Sequence, residues 1–133
     1  MARKEGRSQS CDAVLKINGQ EYPGATGKDC GHAEMHALHC FILANPGNRD
    51  TAKQSIAYCA VLLGTDAPKY VFCPSRPCCR KCTQVLKGLG FKLGAGSEWS
   101  DTPMGSTEWG VSLNVRALLE ACGVDYEKIK GLS

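Results

Sequence analysis

Apolar and polar positions divide the chain into short strands and amphipathic helices. Ala13-Val14-Leu15-Lys16-Ile17 predicts a short strand. Asn18-Gly19 follows, the residue pair that a type I′ hairpin turn prefers. A second strand is expected through Glu21-Tyr22, ending at Pro23, and the glycine-containing segment 24–31 is expected as a loop. In the segment 33–44 the apolar residues Met35, Leu38, Phe41 and Ile42 make one buried helix face, and Asn45-Pro46-Gly47 stops it. Asp50 or Thr51 can cap a second helix running to about Leu63, although Ile56 to Leu63 also fits a buried strand. Lys69-Tyr70-Val71-Phe72-Cys73 predicts a strand, and Pro74-Ser75-Arg76-Pro77 a rigid connector. A helix is expected from Cys79 to Leu89, ended by Gly90, then a strand at Phe91-Lys92-Leu93. Segment 94–110 is a long glycine-containing stretch carrying Trp99 and Trp109. Ser112 caps a helix over 113–121 with Gly123 as its stop, and 124–130 adds a short helical tail. Strands alternating with helices predict an α/β fold, a sheet with helices packed over it.

Composition narrows the class. A chain of 133 residues, 43 % hydrophobic and 22 % charged, suits one folded domain and argues against disorder. Residues 1–9 are polar and basic (Arg3, Lys4, Arg7) and are expected as a loose arm ahead of a domain over 10–133. No apolar run approaches the roughly 18–20 residues that span a bilayer. The basic start leads into Ser8-Gln9-Ser10 instead of an apolar core, so neither a membrane protein nor a signal peptide is expected. The net charge of +3 permits a polyanionic partner without demanding one.

Cysteine is the unusual component. There are 9, an odd number, and four of them crowd into the segment from Cys73 to Cys82. That clustering predicts metal ligation in a reducing compartment in preference to a disulfide scaffold.

Two clusters carry the chemistry, each opening a helix: Gly31-His32-Ala33-Glu34-Met35 and Pro77-Cys78-Cys79-Arg80-Lys81-Cys82. Cys79 and Cys82 are three apart, which on a helix brings their Cβ atoms to about 5–6 Å on one face. Two thiolates there can hold one tetrahedral Zn²⁺. A third ligand from His32 leaves the fourth position for water, the open pattern of catalytic zinc. Helix N-termini lower thiolate pKa and favour binding at neutral pH. Glu34 lies two residues after His32; residues two apart on a helix do not share a face, so Glu34 is expected beside the metal and not on it. There it can take a proton from the water and pass it to a leaving amine. No organic cofactor is called for.

Other assignments compete. His32 and His36 are four apart, but Ala33 stands where the zincin motif needs glutamate. His36 and His39 are expected as solvated or satisfied helix histidines. Cys73 is either a buried strand thiol, the favoured reading, or a fourth ligand closing a structural site. Cys11, Cys30, Cys40, Cys59 and Cys122 are expected as packing or loop thiols.

His-x-Glu followed by a Pro-Cys-type metal loop resembles the zinc-dependent cytidine deaminase-like superfamily over roughly residues 12–95. Within it, the chain looks most like the deaminase domains of bacterial polymorphic toxins. The resemblance implies a three-layer sandwich, with a central mixed sheet of about five strands and helices on both faces. It implies zinc on His32, Cys79 and Cys82, and Glu34 as proton shuttle. It also implies zinc hydroxide attacking C4 of cytosine to give uracil and ammonia. The family spacing is Pro-Cys-x-x-Cys. Here Cys78 occupies the proline position, so Cys79 is the preferred first cysteine ligand and Cys78 the alternative.

The tryptophan-bearing loop and the positive charge favour a polymeric substrate, single-stranded DNA ahead of RNA or free cytidine nucleotides. Trp99 is either a base-stacking residue or a cap on the core, and Trp109 is placed with the core. The resemblance puts Ser75 and Arg76 beside the base pocket. It further implies delivery by a larger secreted toxin into a target cell's reducing cytoplasm, and a cognate immunity protein. A non-catalytic zinc module closed by Cys73, Cys79, Cys82 and His32 is the alternative from a different class.

Overall fold

The computed structural model describes residues 12–25, 32–46, 52–64, 68–73, 80–97, 99 and 110–132. The elements in chain order are β1 (Asp12–Ile17), β2 (Gln20–Ala25), α1 (Ala33–Ala44), α2 (Ala52–Gly64), β3 (Lys69–Phe72), α3 (Arg80–Gly88), β4 (Lys92–Leu93), α4 (Leu113–Ala121) and α5 (Tyr126–Lys130). The protein is a mixed α/β fold with a four-stranded mixed sheet, ordered β2-β1-β3-β4 among the described residues. β1 runs antiparallel to both β2 and β3, whereas β3 and β4 are parallel and are joined through α3. The fifth strand expected from the sequence is not among the described residues.

Asn18 and Gly19 take positive φ (51° and 85°), as the type I′ turn requires, and Ile17 pairs with Gln20 across it. β2 does not end at Pro23 but continues to Ala25. Pro23 is tolerated because β2 is bonded to β1 alone, so the missing N–H costs no ladder bond on its open side. Gly24 is buried against α1: a Cβ there would overlap the Ala33 carbonyl oxygen and the Ala37 backbone, so a side chain would push the helix off the sheet.

Helix α1 is buried on more than one side. The four apolar positions expected to face inward are buried, and so are Ala33, Glu34 and Ala37. The small residues let α1 lie close to β1 and β2, while α2 and α4 pack against it from elsewhere. The ambiguous segment 56–63 is helical within α2. Ser112 caps α4, its Oγ accepting from Val115 N–H at 3.2 Å, and Asp125 caps α5 in the same manner.

One core joins all these elements, with Leu15, Val71, Met35, Leu38, Phe41, Leu86 and Leu118 fully buried. In β1, Ala13, Leu15 and Ile17 are buried, and the alternating residues Val14 and Lys16 are only half-buried. Tyr70 and Phe72 of β3 repeat the pattern. Among the described residues, one face of the sheet is buried under helices, and the residues of β1 and β3 on the other face are half-buried or exposed.

Candidate metal centre

The backbone at the start of α1 decides how His32 points. His32 is the N-cap of α1, with φ −104° and ψ 140°, so it is extended and lies outside the helix. The helical rule that separates residues two apart does not apply to it. His32 and Glu34, in the first turn, aim into the same space. Cys82, in the first turn of α3, approaches from the other side and is fully buried. His32 Nδ1 lies 3.6 Å from Cys82 Sγ. One ligand atom each from His32, Glu34 and Cys82 lies within 4.8 Å of the others, so the three side chains form a group that could hold a metal ion.

Glu34 is only 7 % exposed, and a carboxylate held that far from water needs a positive charge or strong donors. A weaker donor stands beside it: Cys73, 5 % exposed, whose thiol reaches Glu34 Oε2 at 3.6 Å. The Cys73 backbone N–H donates to Ser97 Oγ at 2.9 Å, which anchors the end of β3 against the turn after β4. Cys73 is thus buried, as expected of a strand thiol, but it touches the acidic member of the group. The alternation of β3 carried this information: Val71 and Cys73 share the inward face while Tyr70 and Phe72 face out. Nothing in the sequence singled out Ser97.

The other histidines of α1 are engaged in packing. His36 Nδ1 accepts from Ala25 N–H at 3.1 Å and His36 Nε2 lies 3.6 Å from Cys40 Sγ. His39 Nδ1 pairs with Ser112 Oγ at 2.8 Å, tying α1 to the cap of α4. Trp99 is half-buried and packs against the core, with Lys87 Nζ 5.9 Å from its ring centre. Cys78, Cys79, Ser75, Arg76, Trp109, Cys11, Cys30 and the arm over 1–9 lie outside the described residues.

Two thiols away from the site have shifted acidity. Burial pushes Cys59 up to about 11, with the neighbouring Cys122 adding to the effect, and burial also raises Cys122. Burial disfavours the thiolate form at both. No helix among the described residues is long and apolar enough to cross a membrane.

No protein-family model, curated protein or solved structure matches the chain.

Proposed function

We propose that the protein is a zinc-dependent cytosine deaminase acting on single-stranded DNA, with His32 and Cys82 as metal ligands and Glu34 as the proton shuttle. The observation that carries this reading is the convergence of His32, Glu34 and Cys82 from the openings of two different helices. Two ligands on one tetrahedral zinc, a nitrogen at about 2.0–2.1 Å and a sulfur at about 2.3 Å, stand about 3.6 Å apart. His32 Nδ1 and Cys82 Sγ have that separation, 3.6 Å. Cys79, one helical turn before Cys82, supplies the third ligand in this reading, and Ser75 and Trp99 border the substrate. The deaminase-like sandwich belongs to this reading as its fold, and the described four-stranded sheet with its helices would be part of it.

Zinc, when bound, supplies a Lewis acid that lowers the pKa of water. The chain's own residues do the rest. Glu34, nearly excluded from solvent, accepts a proton from the attacking water and returns it to the departing amine. The C4–N bond breaks, a C4–O bond forms, and water and cytosine become uracil and ammonia. As the interbacterial toxin that its sequence resembles, the domain would work in a target cell's reducing cytoplasm and be blocked by an immunity protein. The nine cysteines suit such a compartment.

A second reading has its own support. Glu34 lies within 4.8 Å of the other two ligand atoms and can itself be a ligand, as in a closed, non-catalytic metal module. Glu34→Ala separates the two. In a deaminase the variant keeps its zinc stoichiometry and loses uracil formation on a mixed pool of single-stranded DNA and RNA read by sequencing. In a structural module the variant loses zinc and the wild type forms no uracil. C-to-U changes confined to the RNA, or A-to-G changes, would overturn the DNA-cytosine assignment.

A further inference from the structure

We infer that Cys73 is a positioning residue: its thiol restrains the Glu34 carboxylate in the orientation that aims it at His32 and Cys82. The inference rests on the deaminase reading for its catalytic consequence, but its geometry stands alone. Cys73 Sγ and Glu34 Oε2 are 3.6 Å apart, and the two side chains are 5 % and 7 % exposed. Water therefore competes little for either partner. A thiol is a weak donor, but donation to a carboxylate is charge-assisted and strengthens in a dry surrounding.

Cys73 does not join the group of mutually close ligand atoms, which comprises His32, Glu34 and Cys82 among the described residues. It meets that group through Glu34. A glutamate in the first turn of a helix has three side-chain torsions to fix. Here the helix supplies the Cα position and Cys73 supplies a contact at the far end of the side chain. The Cys73 backbone is fixed independently by its bond to Ser97 Oγ at 2.9 Å and by the strand ahead of it, so the thiol has a rigid base. The residue sits at the carboxyl end of β3, the end of a strand where ligands collect in open α/β sheets.

The test uses the full chain and the variants Cys73→Val, Cys73→Ser and Glu34→Ala. The infrared S–H stretching band of Cys73 is assigned by its loss in Cys73→Val. It is expected at the lowered frequency of a bonded thiol in the wild type, and at a higher frequency in Glu34→Ala. An identical band in both proteins overturns the contact, whether or not the protein deaminates anything. With a single-cytosine oligodeoxynucleotide as substrate, Cys73→Val is expected to lower kcat about tenfold, the scale of one hydrogen bond to a charged group, with KM within about twofold. Zinc per chain stays unchanged, and Cys73→Ser, which keeps a donor, recovers most of kcat. Wild-type kcat in a folded Cys73→Val, or loss of zinc in that variant, overturns the positioning role. A shifted S–H band in a wild type that forms no uracil upholds the contact and sinks the deaminase reading.

Discussion

At the scale of single residues, the local environment of each side chain outweighs its type. Three histidines share one helix opening and its following turns, yet only His32 joins the group that could hold a metal ion, where its extended backbone frees it from the helical pitch. His36 and His39 are committed to β2 and to the cap of α4. His32→Ala is therefore expected to abolish tight zinc binding, measured by metal analysis after dialysis. His39→Ala is expected to leave zinc in place. Cysteines divide in the same way. Cys59, raised to about 11 by burial, keeps its proton in the folded state after the unfolded chain has lost it. Its contribution to stability is thus present below about pH 9 and is lost as pH rises towards 11. Cys59→Ala should flatten the fall in stability between those values, read by denaturant titration at a series of pH values. His32 and Glu34 were legible as site residues from the His-x-Glu motif at a helix start. That both could reach one ion was not, because the rule separating residues two apart holds only where both are helical, and His32 is extended. Cys73 was legible as buried, but its contact with Glu34 depends on how β3 ends beside α1, which no local pattern encodes.

At the scale of elements, small residues and caps set the spacing. Gly24 permits α1 to touch β2, and Gly24→Ala forces a methyl group into the Ala33 carbonyl. The backbone cannot yield there as a flexible side chain would, so a loss of about 1–3 kcal/mol is expected, measured by urea denaturation. Ser112 serves both the α4 cap and His39. Ser112→Ala should cost about 1–2 kcal/mol, and Ser112→Asp should recover part of it, since aspartate also caps. The hairpin, α1, β3, α3, α4 and the tail helix were legible because each carries its own start or stop signal. The helix to about Leu63 was legible as the first of two readings, and α2 bears it out; what decides against a strand, the packing of α2 against α1 and α4, was hidden. The extension of β2 past Pro23 was also hidden, because a proline reads as a strand end unless the strand is known to lie at an edge.

At the scale of the whole molecule, the His32-Glu34-Cys82 group, which could hold a metal ion, joins α1 to α3, elements brought together only by the complete fold. Metal binding should therefore stabilise the protein as a unit. A strong chelator is expected to lower Tm and stoichiometric zinc to restore it, followed by calorimetry. The gain would be about 2.7 kcal/mol when free zinc exceeds Kd a hundredfold. Among the described residues, α1 packs on the buried face of the sheet, and Tyr70 and Phe72 stand on the other. Strand order has a consequence for biosynthesis. β1 is flanked by β2 on one side, made at once by the hairpin, but its other edge is filled by β3, which is synthesised after both α1 and α2. A nascent chain leaving the ribosome thus carries a finished hairpin whose inner edge stays bare until two helices have been translated. Over that interval the backbone N–H and C=O groups of Val14 and Lys16, which point away from β2, offer a template to any neighbouring polypeptide, and arrest before β3 yields a sticky fragment in place of a merely shorter one.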